Sequence, residues 1–476
     1  MLFNSIHYFA FAPVVIGIYF LVPKRFQRAW LLVTSLYFYA VFRVPFTVLL
    51  LFSIVATYLC TRGIASSERR IVRRLFLGLA IAANLSVLYF FKFIDFSIEV
   101  WNIVLFQDPC DSLYVGPTGV LLPMGISFFT LQAMAYAIDV YRGVIPVGRS
   151  LFNFALFLSF FPQLVAGPIM RAKDLLDQFA EDHRFRYENL YPGLRQIALG
   201  CFKKTLIADP AGVAVDAVFG APGHYSSGAL WIVLMLHAMQ IYGDFSGYSD
   251  IAIGTGRIMG FHIPMNFKRP FMAPTMSEFW NRWHISLSTW LRDYIYIPLG
   301  GNRVSPVRTY WNIFITMAAS GVWHGAGLNY VAWGIVHALV VVIERFIFSF
   351  PRAKAFWERA PAFFKFLYTY MFFSFTFCFF RARAVAGIGD AFDVSLYLSH
   401  RAIFWKSGQS ISVEPSVLFA IALLVGYELL QERWSEHLER IMRYRRLVYA
   451  ICASILGYCA VVYSISDSAP FVYFQF

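Results

Sequence analysis

The sequence predicts an all-α protein that crosses a membrane many times, and three observations carry that prediction. Of its 476 residues 59% are apolar or aromatic and only 14% are charged, whereas soluble domains carry about 25% charged residues. Nearly uncharged stretches recur at the length of a membrane helix, about 20 residues. The chain also holds 51 Phe and 12 Trp, residues favoured in lipid contacts and at membrane interfaces.

Taken in order, the expected spans are 5–22, 27–42, 45–60, 75–91, 119–138, 151–170, 228–243, 310–323, 328–343, 363–380, 415–430 and 447–466. The first carries no charge before Lys24, so it lacks the basic start of a cleaved signal peptide and reads as a retained membrane helix. Segments 192–208 and 246–262 are mixed in polarity and read as tilted, re-entrant or interfacial. The expected total is about ten to thirteen spans. No internal repeat and no polar linker interrupts the chain, so residues 1–476 read as one membrane domain.

Charge sets the expected orientation. The basic segments 23–28 and 61–74 belong in the cytoplasm, which places 1–5 outside; 106–118, with Asp108 and Asp111 but no Lys or Arg, and the uncharged 218–229 belong on the outer face. The net charge of +13 is a membrane charge rather than a nucleic-acid footprint. Arg62, Arg69, Arg70, Arg73 and Arg74, and again Arg433, Arg440, Arg443, Arg445 and Arg446, lie beside apolar runs where anionic headgroups attract them. The six cysteines show no metal-ligand spacing and mostly sit inside apolar runs, which argues against a disulfide framework. Cys201, close to Lys203 and Lys204, reads as a small buried residue or an activated thiol.

Two segments stand out chemically. Residues 270–303, PFMAPTMSEFWNRWHISLSTWLRDYIYIPLGGNR, are too polar to span and too aromatic for a solvated loop. Ser277 is the expected N-cap, with Glu278 in the first turn. At 100° per residue Trp280, Trp283, His284, Leu287, Leu291 and Ile295 share one face, opposite Glu278, Arg282, Arg292 and Asp293. That pattern predicts an amphipathic helix at the membrane surface. His284 falls on its apolar side, either as a core histidine bonded to a backbone carbonyl or as a functional group.

The second segment, 320–329 (SGVWHGAGLN), joins two apolar runs through three glycines. Irregular backbone at membrane depth is tolerated only inside protein or along a cavity, and a histidine there is a functional candidate. His324 fits a general base, since imidazole takes a hydroxyl proton near neutral pH; it equally fits an interfacial helix cap. Asp244, in YGDFSGYSD (242–250), either orients a histidine, lines a polar path or caps the next helix. His237 and His337 read as packing residues within apolar runs, and 432–446 as a solvated loop. No Walker loop, dinucleotide fingerprint or zinc-type histidine pair is present.

WNRWHISLSTWLRDYIYIPLGG (280–301) followed by SGVWHGAG (320–327) resembles the membrane-bound O-acyltransferase family, and in it the bacterial branch that acylates cell-envelope polymers such as alginate. The opening MLFNSIHYFAFAP, LPMGISFFTLQAMAYAIDVYRG (122–143), FLSFFPQLVAGPIMR (157–171), YGDFSGYSDIAIG (242–254) and PFVYFQF (470–476) extend the resemblance over nearly the whole chain. By that analogy the fold is a ring of about eleven membrane helices around a central tunnel. The resemblance makes His324 catalytic and His284 the second signature position, with Trp323, Trp283, Asp244 and Asn329 as the expected substrate contacts.

The implied reaction moves an acetyl group from a cytoplasmic thioester, acetyl-CoA, with no bound cofactor and no metal. The implied partners are a periplasmic acetyltransferase, a polysaccharide acceptor and the lipids of a bacterial inner membrane. Two alternatives stay open: D-alanyl or other acyl transfer from a carrier protein, and a transporter of acylated intermediates that makes no bonds. Buried charge pairs would favour the transporter, and the apolar runs look nearly charge-free.

Overall fold

A computed structural model describes residues 1–105, 115–148, 150–435, 445–465 and 471. Asp108, Cys110, Asp111, Arg440, Arg443 and most of 470–476 lie outside these residues. Apart from two isolated bridges, the regular structure of the described residues is helical. Seven of these helices are long and apolar enough to cross a membrane. The chain divides into two compact units, Met1–Gly193 with Ala252–Pro264, and Leu194–Ile251 with Met265–Phe476.

In the first unit, helices Ile6–Leu21, Lys24–Ala40, Val44–Ser66 and Arg70–Leu88 follow one another through short turns. Ser5 caps the first by accepting from the Tyr8 amide. Only 28% of the Val44–Ser66 window and 17% of the Arg70–Val104 window are buried within the protein. Helices this apolar leave such faces uncovered only where lipid covers them. They are joined by side-chain hydrogen bonds instead: Ser53 Oγ donates to Asn84 Oδ1 at 2.5 Å, and Asn84 Nδ2 donates to Thr57 Oγ1 at 2.8 Å. Ile126–Arg142, by contrast, is buried on nearly every side.

Two expected spans are shorter than the hydropathy suggests. The span placed at 119–138 starts only at Ile126, because Gly125 at φ 75° lies against the Leu164 carbonyl and ends the preceding irregular stretch. The span placed at 151–170 breaks after Ser159 into a short turn, Phe161–Leu164, with Pro162 at its start. This irregular backbone is buried in protein, and Gln163 Nε2 bonds the Phe157 carbonyl at 2.6 Å.

Largely in the second unit, two polar segments prove helical. Residues 228–243 and 246–258, part of the segment 246–262 that was expected to be separate, form one 32-residue helix, Ser227–Ile258. Residues 192–208 lie in a helix that starts at Tyr187, passes through a π-helical turn at Lys203–Ala208 and continues as Asp209–Gly220. The reason is charge pairing. Lys203 Nζ meets Asp250 at 2.7 Å, and Lys204 Nζ meets Asp244 at 2.6 Å and Asp209 at 2.7 Å. The interior is therefore not charge-free; its carboxylates and ammonium groups come from segments too far apart in sequence to be paired by inspection.

Pro306–His324 and Leu328–Ile347 form an antiparallel pair in close contact. A Cβ on Gly321 would stand 2.3 Å from the Tyr330 carbonyl oxygen, and one on Gly334 would stand 2.6 Å from that of Met317. Only small residues let two membrane helices approach this closely. Ala362–Phe380, Ala391–Ile403, Pro415–Arg433 and Arg445–Ile465 complete the unit.

Candidate active site

The segment 270–303 does not form one continuous helix. Thr275, not Ser277, is the N-cap, accepting from the Glu278 amide at 3.1 Å. Ser277 instead joins Met276 in donating to the carboxylate of Glu344, at 3.0 Å and 2.6 Å from their backbone amides. Helix Met276–Arg282 then stops, His284 takes a left-handed conformation at φ 43°, and a second helix runs from Ile285 to Leu291. A non-glycine residue there costs about 1–3 kcal/mol and persists only where its surroundings hold it.

Asn266 holds it. Its backbone carbonyl accepts from the Ile285 amide at 2.9 Å, and its Oδ1 accepts from the Ser286 amide at 3.1 Å and the Ser286 hydroxyl at 2.9 Å. The same Oδ1 lies 3.4 Å from His284 Nδ1. His284 is buried, and burial lowers its imidazole pKa from 6.5 to about 3, so the ring is neutral at working pH.

His324 is the last residue of its helix, and Gly325, in extended conformation, turns the chain out of it. A Cβ on Gly325 would meet the Tyr330 ring at 2.1 Å, which is why the turn needs glycine. His324 is buried in an aromatic box, with ring centroids of Trp333, Trp323 and Phe380 at 4.9, 5.0 and 5.4 Å. Trp323 also touches His284, at 5.9 Å. The two histidines, 40 positions apart, thus share one indole.

The other expected contacts have the following protein neighbours. Trp283 stacks on Phe279 at 5.4 Å and meets Phe373 at 4.7 Å, in a cluster that reaches His284 through Phe267. Asn329 Nδ2 donates to the Phe379 carbonyl at 2.9 Å, tying two helices together. Asp244 does not cap a helix; it sits inside Ser227–Ile258 and pairs with Lys204. Its neighbour Phe245 is the residue of that motif that reaches the site, edge-on to His284 at 4.6 Å and to Phe471 of the terminal motif at 5.4 Å. His337 bonds Thr376 at 3.3 Å and His237 bonds Gln240 at 2.7 Å, as packing residues do.

A cavity of about 390 Å³ opens beside this centre, between the broken helix and the Pro306–His324 pair. Hydroxyls of Ser277, Ser288, Thr289, Thr316 and Ser320 line it, and the exposed Arg292 and Arg345 stand at its rim. Its buried wall includes Trp280 and Ser320. Ser320 lies one helical turn before His324, and Trp280 meets Trp333, the ring against His324, at 5.8 Å. Glu344, Asn266 and Trp333 were not picked out from sequence. A lone carboxylate within the 328–347 run is a readable signal for the first; the other two carry none. Among the described residues no group of acids, histidines or cysteines has the arrangement of a metal site.

The model of the membrane-bound O-acyltransferase family matches residues 144–382, which include both histidines and the cavity. A probable alginate O-acetylase of Pseudomonas putida is 41% identical over 72% of this chain and 71% of its own length. The chain belongs to the membrane-bound O-acyltransferase family. It is similar as well to a peptidoglycan O-acetyltransferase of Helicobacter pylori, at 36% identity over 72% of this chain and 70% of that protein. A teichoic acid D-alanyltransferase of Streptococcus thermophilus is 34% identical over 48% of this chain and 58% of its own length. This O-acyltransferase is thus a multi-pass membrane enzyme.

Proposed function

We propose that this O-acyltransferase moves an acetyl group from a thioester on the cytoplasmic face, acetyl-CoA, to a hydroxyl presented from the other side of a bacterial inner membrane, for O-acetylation of an exopolysaccharide such as alginate. The observation that carries the reading is the cavity with arginines at its rim and Ser320 in its wall, one turn from a buried histidine. Its volume lies within the range of small-molecule sites. Guanidinium groups suit the phosphates of a nucleotide thioester, and an interior lined by serine and threonine residues suits its amide-bearing arm. The alginate and peptidoglycan acetylating relatives support the acetyl group and the envelope polymer.

In this mechanism His324 takes the proton of the acceptor hydroxyl as its oxygen attacks the acyl carbon. The carbon–sulfur bond then breaks, and the imidazolium returns the proton to the leaving thiolate, giving an ester and a free thiol. His284, neutral and on the other side of Trp323, orients a reactant. Trp323 and Trp283 shape the site, and Asp244 and Asn329 hold the helices that carry it. A serine of a periplasmic acetyltransferase receives the group and passes it to the polysaccharide.

Purified protein in nanodiscs, given radiolabelled acetyl-CoA, is expected to release or transfer label, and folded His324→Ala is expected not to. Equal activity of the two proteins removes His324 from the chemistry. Label consumed by neither turns the reading to a carrier-bound acyl donor, which the D-alanyltransferase similarity favours.

A further inference from the structure

The Asn266 amide makes a decision about His284 that the heavy-atom positions alone would leave open. Nitrogen and oxygen of a side-chain amide are told apart by their partners. Here the Ser286 backbone amide, which can only donate, lies 3.1 Å from one terminal atom of Asn266, so that atom is the oxygen. The Ser286 hydroxyl donates to the same oxygen at 2.9 Å, and the amide nitrogen lies 3.3 Å from Ser249 Oγ. His284 Nδ1 faces this oxygen at 3.4 Å. Two atoms that both accept cannot share a hydrogen bond, so Nδ1 is the protonated nitrogen. In a neutral imidazole the other nitrogen, Nε2, is then the acceptor.

We infer that Asn266 is a positioning residue that holds His284 as its Nδ1–H tautomer, so that Nε2 accepts a hydrogen bond in the acyl-transfer site and cannot donate one. The inference rests on the proposed acyl transfer and adds the direction of the His284 hydrogen bond. A donor at this position would polarise the thioester carbonyl; an acceptor instead aligns the hydroxyl that attacks it. His284 therefore acts on the acceptor side of the reaction, with His324. Three features make Asn266 suited to the task. It is fully buried. It bonds both residues that follow His284, which fixes the left-handed backbone and the ring together. It is also uncharged, so it sets the tautomer without drawing a second proton onto the ring. The 3.4 Å separation is long, as hydrogen bonds of this kind are before substrate tightens them.

Two measurements test the inference. The first reads the tautomer without any reaction: nitrogen-15 spectra of the full-length protein labelled at histidine, with the His284 signals found by comparison with His284→Gln. A protonated Nδ1 and a bare Nε2 are expected; a protonated Nε2 overturns the inference whether or not the protein transfers acetyl groups. The second compares Asn266→Leu and Asn266→Asp, each checked for folding by its unfolding midpoint. Asn266→Leu is expected to lower kcat at least about tenfold with little change in KM for acetyl-CoA. Asn266→Asp keeps the acceptor and adds a charge that favours imidazolium. It is expected to restore most of kcat and to move the acid limb of the pH profile to higher pH, since the ring now protonates sooner. An unshifted pH profile, or equal kcat for Asn266→Leu and wild type, overturns the inference. Wild-type protein without acetyl transfer counts against the proposed function instead, and the spectra still decide the tautomer.

Discussion

Trp323 links the two histidines, because its ring touches both. Trp323→Ala is expected to lower kcat at least about tenfold, by letting two rings relax from the positions its indole supports; Trp323→Phe, which keeps an aromatic face, should retain most of it. Steady-state kinetics in nanodiscs checks both, and an unaffected Trp323→Ala would mean that each histidine is held independently. At this scale much was legible. His324 stands out because three glycines break an apolar run around it, and His284 because it falls on the apolar side of a polar segment. Asn266 was not legible. Its significance is a set of hydrogen bonds to residues 18 to 20 positions later, and nothing in its own neighbourhood announces them. Asp244 misled for the opposite reason. A carboxylate after an apolar run resembles a cap, and its cation, Lys204, lies 40 residues earlier.

Among the elements, the antiparallel pair Pro306–His324 and Leu328–Ile347 matters most, since its turn carries His324. The close approach at Gly321 and Gly334 leaves no room for a methyl group. Gly321→Ala is expected to lower the unfolding midpoint and to reduce activity by pushing the helices apart. Gly426→Ala, at a site with nothing within 4 Å of the added carbon, should be neutral or slightly stabilising in the same helix-forming context. Thermal unfolding of both in the same detergent distinguishes a packing effect from a general intolerance of substitution. The existence of both helices was clear from hydropathy. Their contact was not, because a glycine looks the same in a sequence whether it faces open space, as at Gly426, or a neighbouring backbone. The break at His284 was also hidden: the helical periodicity of 277–295 continues through it, and the Asn266 bonds help hold a left-handed residue there.

For the molecule as a whole, the buried charges decide how the second unit holds together. Lys204 is fully buried between Asp244 and Asp209, and Lys203 pairs with Asp250. Removing one member of such a set leaves an uncompensated buried charge. Lys204→Met is therefore expected to destabilise the protein by about 3–5 kcal/mol, seen as loss of folded protein on size-exclusion chromatography. Lys204→Met with Asp244→Asn and Asp209→Asn should recover much of the loss; no recovery would show that the lysine does more than balance charge. Membrane class, all-helical architecture and family were determined by the sequence itself, which also singled out the two histidines as candidates, because hydropathy, glycine breaks and motif spacing are local properties that survive without coordinates. Tertiary structure alone decided which carboxylate meets which lysine, which indole joins the histidines and which amide sets the tautomer of His284. Those contacts join residues tens to hundreds of positions apart, and in lipid the partner of a buried polar group is chosen by the fold.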